Sequence, residues 1–276
     1  MFATHSSFRF AVVASALALT STCTVAQGFT ESCNTPAFPG PTVAIDSRCS
    51  VQGAGGTEAE QNQAKNNFCA LGSPSRSSIP ALAALQAQVE QNRAINFGDR
   101  DNPGVHGPAT NRAPLKALGE GKLVQLKAFV VAASQEGDET VNCGTTFDHE
   151  SNKDLFHDIH ISLVAAQPSA TPTTPEEKDA SECPGIVSEM IPHHRPPEWT
   201  AANVNKVAAK HLMVRVTGQL FFDSSHVPCA HGKEVRTNPR RTSLWEIHPI
   251  YKFDVCTANC NAAGTWLPLA QWVKQQ

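Results

Sequence analysis

Ser243-Leu244-Trp245-Glu246-Ile247-His248-Pro249-Ile250-Tyr251-Lys252-Phe253-Asp254-Val255 is the stretch whose reading decides the fold. At a period of two, Trp245, Ile247, Tyr251, Phe253 and Val255 share one face, while Glu246, His248, Lys252 and Asp254 share the other. Aromatic and β-branched residues in that alternation predict a strand with one buried and one exposed face. Pro249 cannot donate a ladder hydrogen bond, so it belongs at an edge or a bulge. The same spacing sets a carboxylate beside an imidazole, Glu246 and His248, on the face that packing does not require.

Working outward, four earlier stretches can pair with this one. Val124, Leu126, Ala128 and Val130 alternate in a first strand from Lys122, which becomes apolar on both sides at Phe129 and Val131. Ile159, Ile161 and Leu163 define a second strand near 155–164, with Asp158, His160 and Ser162 opposite. A third spans about 185–191. A helix follows from Trp199 or Thr200, presenting Val204, Val207 and Ala208, and a fourth strand runs over 212–222. Three strands, a helix and two strands is the element order of the OB-fold, a five-stranded Greek-key barrel. The fold class expected is therefore mainly β with an α extension, an OB-like barrel over 115–260; a different barrel or a β-sandwich is the competitor.

Residues 27–114 read as a helical extension pinned by disulfides, with little core of its own. Thr57 and Glu60 have capping-box spacing for a short helix to about Ala70. Pro80 suits the first turn of a second helix, whose Leu82, Leu85 and Val89 fall on one side. The Pro- and Gly-rich 96–114 stretch is a loop. The polar, Pro-rich run 165–182 is expected as a mobile surface loop, and 261–276 as a C-terminal tail.

Arg9, the apolar run Phe10 to Leu19 and the small residues ending Thr24-Val25-Ala26 have the pattern of a secretory signal over 1–26. Thr20-Ser21-Thr22 ahead of Cys23 makes a poor lipobox. The apolar run is too short to span a bilayer and no later stretch is long enough, so no transmembrane segment is expected. Of the 9 cysteines, cleavage after Ala26 removes Cys23 and leaves an even set. An even set in an exported chain predicts disulfides and a secreted or periplasmic location. A net charge of −3 gives no global field for polyanions or membranes.

Acid–imidazole pairs recur at strand spacing or strand ends: Asp158 with His160, Asp223 with His226, Glu246 with His248, and Glu189 with His193 at the end of the third strand. If the second and fifth strands approach, His160, Asp223, His226, His248 and Asp158 could bind zinc or another divalent metal. Glu246 or Glu189 would then serve as general base for attack on an ester or phosphodiester. The alternative is that each pair is a local hydrogen-bonded brace, since no HExxH motif is present. His157, on the apolar side, is expected buried with one nitrogen satisfied; His193 and His194 are expected as exposed loop residues.

Lys233, Arg236, Arg240 and Arg241 lie close together before the last strand, opposed by Glu234. In OB-folds this loop grips oligonucleotides or oligosaccharides, so an anionic oligomer or small ligand is a candidate partner; a plain solvated loop is the alternative, because no aromatics are interleaved. No Gly-x-Ser-x-Gly elbow, phosphate loop or dinucleotide fingerprint appears.

The set Asp158-Ile159-His160, Glu189-Met190-Ile191-Pro192, Asp223 with His226, and Glu246-Ile247-His248-Pro249 resembles a group of uncharacterised secreted bacterial proteins carrying D-x-H, E-x-x-P, D-x-x-H and EIHP patterns in this order. The resemblance covers about 118–255 and implies that these acids and histidines belong to one architecture. It carries no activity. The sequence thus supports an exported, disulfide-stabilised OB-like domain that binds a ligand, anionic or through a divalent metal. A metal-dependent hydrolase and a structural or interaction protein of the cell envelope are the alternatives.

Overall fold

The computed structural model describes Met1 and residues 28–30, 33, 38–95, 111–144, 153–229, 239–260 and 264–276. The expected signal segment, Lys233 and Arg236 lie outside these residues. Seven strands form one sheet: β1 (Ser75–Arg76), β2 (Leu123–Gln135), β3 (Ile159–Val164), β4 (Ile186–Met190), β5 (Met213–Phe222), β6 (Trp245–Ala258) and β7 (Thr265–Pro268). The helices are α1 (Ala59–Lys65), α2 (Ile79–Gln91), α3 (Ala113–Leu118), α4 (Lys153–Phe156), α5 (Pro175–Glu182), α6 (Ala201–Ala209) and α7 (Leu269–Val273). The protein is mixed α/β and rich in strand, as the mainly β expectation required.

β2 pairs with β3 and also with β5, so the order β2-β3-β4-β6-β5 closes on itself as a ring of five strands. The ring is uneven. β5 and β6 run antiparallel along most of β5, whereas β4 and β6 meet in parallel only at Ser188 and Ile247. β1 adds beside β2, and β7 beside β6.

Inside the ring lies one apolar core. It holds Leu126, Ala128, Ile161, Leu163, Ile186, Val214, Val216, Trp245, Ile247 and Phe253, and α2 and α6 add Leu82, Val89, Val204 and Val207. α2 starts where Ser78 accepts from the Ala81 amide and Pro80 occupies the first turn, a place where a missing N–H costs nothing. α6 is capped by Thr200 and tied to β2, because Asn205 both accepts from and donates to the Ala133 backbone at 2.8 Å.

Four expectations change. The opening strand does not keep a strict alternation: its register slips between Gly218 and Leu220 opposite Pro249. Ile250 therefore enters the core that Trp245 and Ile247 occupy, and Tyr251 turns to a second cluster with Phe68 and Ile191. Gly218 is required there, since a Cβ would stand 2.3 Å from the Pro249 carbonyl oxygen. Thr57 and Glu60 form no capping box, and α1 begins after Glu58 without a side-chain cap. Within 165–182, Thr174 and Glu177 do form one, and they start α5 at Pro175. The expected tail instead supplies β7 and α7, which bury Leu269 and Trp272 in the main core.

Four disulfides pair the eight cysteines that follow Cys23 in the sequence: Cys33–Cys69, Cys49–Cys143, Cys183–Cys229 and Cys256–Cys260. Among the described residues, no helix is long and apolar enough to cross a membrane.

Candidate metal centre

Glu246 and His248, on the side of β6 expected to face water, are buried, and so are His160 of β3 and Glu189 of β4. The C-terminal end of α1 lies against that side: Gln219 donates to the Ala64 carbonyl at 2.6 Å and to the His248 carbonyl at 2.8 Å. Register then gathers the side chains. His160 of β3 pairs directly with Glu189 of β4. The Ser188–Ile247 pairing sets Glu189 beside His248 of β6. Asp158 precedes β3, Asp223 follows β5, and Glu246 faces Phe221.

Glu189 sits at the hub and is fully buried. Its Oε1 lies 3.0 Å from His160 Nε2, and its Oε2 lies 2.9 Å from His248 Nδ1. On its other side His160 Nδ1 meets Glu136 Oε1 at 3.1 Å. Glu246 Oε1 is 3.4 Å from His248 Nδ1, and its Oε2 is 3.2 Å from Arg241 Nη1. Asp223 Oδ2 is surrounded by His226 Nε2 at 3.2 Å, Arg241 Nη1 at 3.8 Å and Lys65 Nζ at 3.9 Å. Asn142 donates to Asp158 Oδ1 at 3.0 Å.

So His160, His248, Asp158, Asp223, His226, Glu189 and Glu246, all selected from sequence, converge. Arg241 joins them from an unexpected side: read as part of an exposed basic loop, it is buried and points inward. Arg240 pairs with Asp179 at 2.9 Å. Lys65, Glu136 and Glu139 were missed. Glu136 and Glu139 follow the first strand in a stretch without periodicity, and Lys65 ends a short helix; nothing local marks any of them. His157 is buried as expected, with Nδ1 2.6 Å from the Glu136 carbonyl and Nε2 3.2 Å from Asp138. His193 and His194 are not exposed. His193 Nδ1 lies 2.8 Å from Asp46 Oδ1, and the His194 ring stacks on Phe38 at 3.8 Å between centroids.

The electrostatics follow from burying so many charges together. Glu139, Asp158, Glu189, Asp223 and Glu246 face two permanent cations, Lys65 and Arg241. An unpaired buried charge is costly, so the imidazoles or a bound cation must supply the balance. Burial pushes the Glu189 carboxyl up, but His160, His248 and Lys65 outweigh it and hold it well below the usual range. Burial lowers His160 and His248, yet Glu189 and its neighbours drive both up, His248 to about 10. Burial, then Glu189, lifts Glu246 to about 7, and burial lifts Glu139 to about 8 against the pull of Lys65. Burial and Arg241 hold His226 down to about 4.

Both ring nitrogens of His160 and of His248, both Glu189 oxygens, Asp158 Oδ2, Glu139 Oε2 and Glu246 Oε1 are buried without a partner in hydrogen-bond geometry. Buried polar atoms normally have one. Three overlapping groups place one donor atom per residue within 4.8 Å of the others: Glu139, His160 and Glu189; Asp158, Glu189 and His248; Glu189, Asp223 and Glu246. Imidazole nitrogens and carboxylate oxygens are a donor set that zinc and similar ions accept. A pocket of about 220 Å³, lined by Glu58, Gln61, Asp138, Glu139, Lys65 and His226 among others, adjoins the cluster. Comparison with protein-family models, curated proteins and solved structures returns no match for this chain.

Proposed function

We propose that this chain is an exported OB-like domain that binds a divalent cation on the outer wall formed by β3, β4 and β6. The observation that carries the reading is the set of fully buried imidazole nitrogens and carboxylate oxygens around Glu189, which lie within ion-pair distance of one another but outside hydrogen-bond geometry. Two features support it. The ring order, with its last two strands exchanged before closure on the first, is the Greek-key order of that barrel. OB-folds also place ligands on the face of their second and third strands and between two particular loops. Here the corresponding strands carry His160 and Glu189, and the corresponding loops carry Glu139, Asp223, His226 and Arg241. The four disulfides support export. Glu136 at His160 Nδ1 acts as the carboxylate that commonly orients a ligating histidine, turning Nε2 toward Glu189 and Glu139.

The second reading, a hydrolase of an ester or phosphodiester, is favoured by the adjoining pocket. Lys65, Glu139 and His226 belong to both pocket and cluster, so a small molecule reaching them stands at the edge of the site. A bound divalent ion supplies Lewis acidity and lowers the pKa of water. Glu246, lifted to about 7, suits a general base near neutrality.

Zinc titration of the chelator-stripped protein, read by calorimetry and by thermal melting, tests the reading. Binding tighter than roughly micromolar should raise the melting temperature as ligand exceeds the dissociation constant. Absence of both effects sinks it.

A further inference from the structure

The three groups of donor atoms are not equivalent. All contain Glu189, but no group contains both imidazoles. The group of Glu189, Asp223 and Glu246 has no imidazole and meets two cations, Arg241 at Glu246 and Asp223 and Lys65 at Asp223, whereas among the described residues the group with His160 meets only Lys65, at Glu139. In the other two, each imidazole takes a different oxygen of the same carboxylate, His160 facing Oε1 and His248 facing Oε2. A carboxylate whose oxygens each serve a separate nitrogen donor is disposed to bridge.

Building on the cation-binding reading, we propose that the site holds two divalent ions with Glu189 between them. One ion takes His160, Glu189 and Glu139; the other takes His248, Glu189 and Asp158. The buried atoms lacking hydrogen bonds distribute accordingly. Glu139 Oε2 and His160 Nε2 fall to the first ion, Asp158 Oδ2 and His248 Nδ1 to the second, and the two Glu189 oxygens to one each. Asn142 occupies the remaining Asp158 oxygen and fixes that carboxylate's orientation. The balance of charge agrees. With Glu136 on His160 counted, the carboxylates exceed Lys65 and Arg241 by four charges, which two divalent ions offset while both imidazoles stay neutral, the state in which they ligate. Mixed nitrogen and oxygen donors suit zinc or manganese better than calcium.

The ratio of metal to protein separates this proposal from the reading beneath it. The stripped chain is equilibrated with zinc or with manganese, freed of excess ion, and its metal measured by mass spectrometry. Two ions per chain are expected, falling to one in His160→Ala and to one in His248→Ala. A single ion in the unaltered protein overturns the bridged pair and leaves the single-cation reading standing; none overturns both. The unaltered protein decides the ratio even if a variant fails to fold. With manganese, electron paramagnetic resonance should show the signal of an exchange-coupled pair. Two ions giving only isolated-ion signals would overturn the bridge.

Discussion

Glu189 Oε2 stands 2.9 Å from His248 Nδ1 because β4 and β6 run parallel at Ser188 and Ile247. The narrowest seam of the strand ring thus positions a fully buried acid against its imidazole. Removing one partner leaves the other uncompensated. Glu189→Ala should cost the metal-free protein about 3–5 kcal/mol, the usual loss when a buried pair is broken. Urea denaturation midpoints measure it, and a loss below about 1 kcal/mol would show that the imidazoles are content without it.

Arg112 gives a second test away from the site. Its Nε donates to Glu120 Oε2 at 2.8 Å, Nη1 to Gln61 at 3.0 Å and Nη2 to the Phe222 carbonyl at 2.6 Å, all buried. Glu120 in turn accepts from the Phe222 amide. Arg112→Ala should therefore destabilise by about 3–5 kcal/mol, and the double change Arg112→Met with Glu120→Leu by less than the sum of Arg112→Met and Glu120→Leu made singly. Additive losses in that cycle would contradict the coupling.

Acid should loosen the packing around Asp46. Burial lowers His193 below its ordinary 6.5 despite the pull of Asp46, and burial lowers His194 in the same direction. Their folded values lie below the unfolded one, so near pH 6 the unfolded chain binds more protons. Their stabilisation is full above 6.5 and is lost as pH falls through the folded values. His193→Asn should flatten the slope of stability against pH below 6.5; an unchanged slope would assign it to other groups.

The disulfides should differ in worth. Cys49–Cys143 closes a separation of 94 residues and Cys256–Cys260 one of 4. Loop-closure entropy alone makes the first stabilise by about 2–3 kcal/mol more. Paired Cys→Ser variants compared by denaturant midpoint check this, and equal losses would point to strain or residual structure instead.

The five ring strands were legible because alternation survives without knowledge of partners. Leu126 and Val130, Ile161 and Leu163, or Val214 and Val216 announce a core-facing side from sequence alone. The site was half legible. Its imidazoles and most of its carboxylates stood at strand spacing, but alternation marks a polar face as exposed when another segment covers it. That covering comes from the stretch ending in α1, whose Gly- and Pro-rich approach has no period to read. Lys65 arrives with the cover and Glu139 with the turn after β2, so both were invisible. The slips on either side of Gly218 misplaced Tyr251 for a related reason: the first bulge shifts the phase and the second restores it, so Phe253 and Val255 return to the expected side.

Tyr251 is the sole tyrosine of the chain. Its hydroxyl donates to the Asn67 carbonyl at 2.6 Å and accepts from the Ala70 amide at 3.1 Å, and its ring lies 5.5 Å from that of Phe68. One phenol therefore bridges the barrel and the segment just past α1. The ionisation of that one phenol at high pH, a change the four tryptophans do not share, is a built-in gauge of whether that seam is closed, readable without any label.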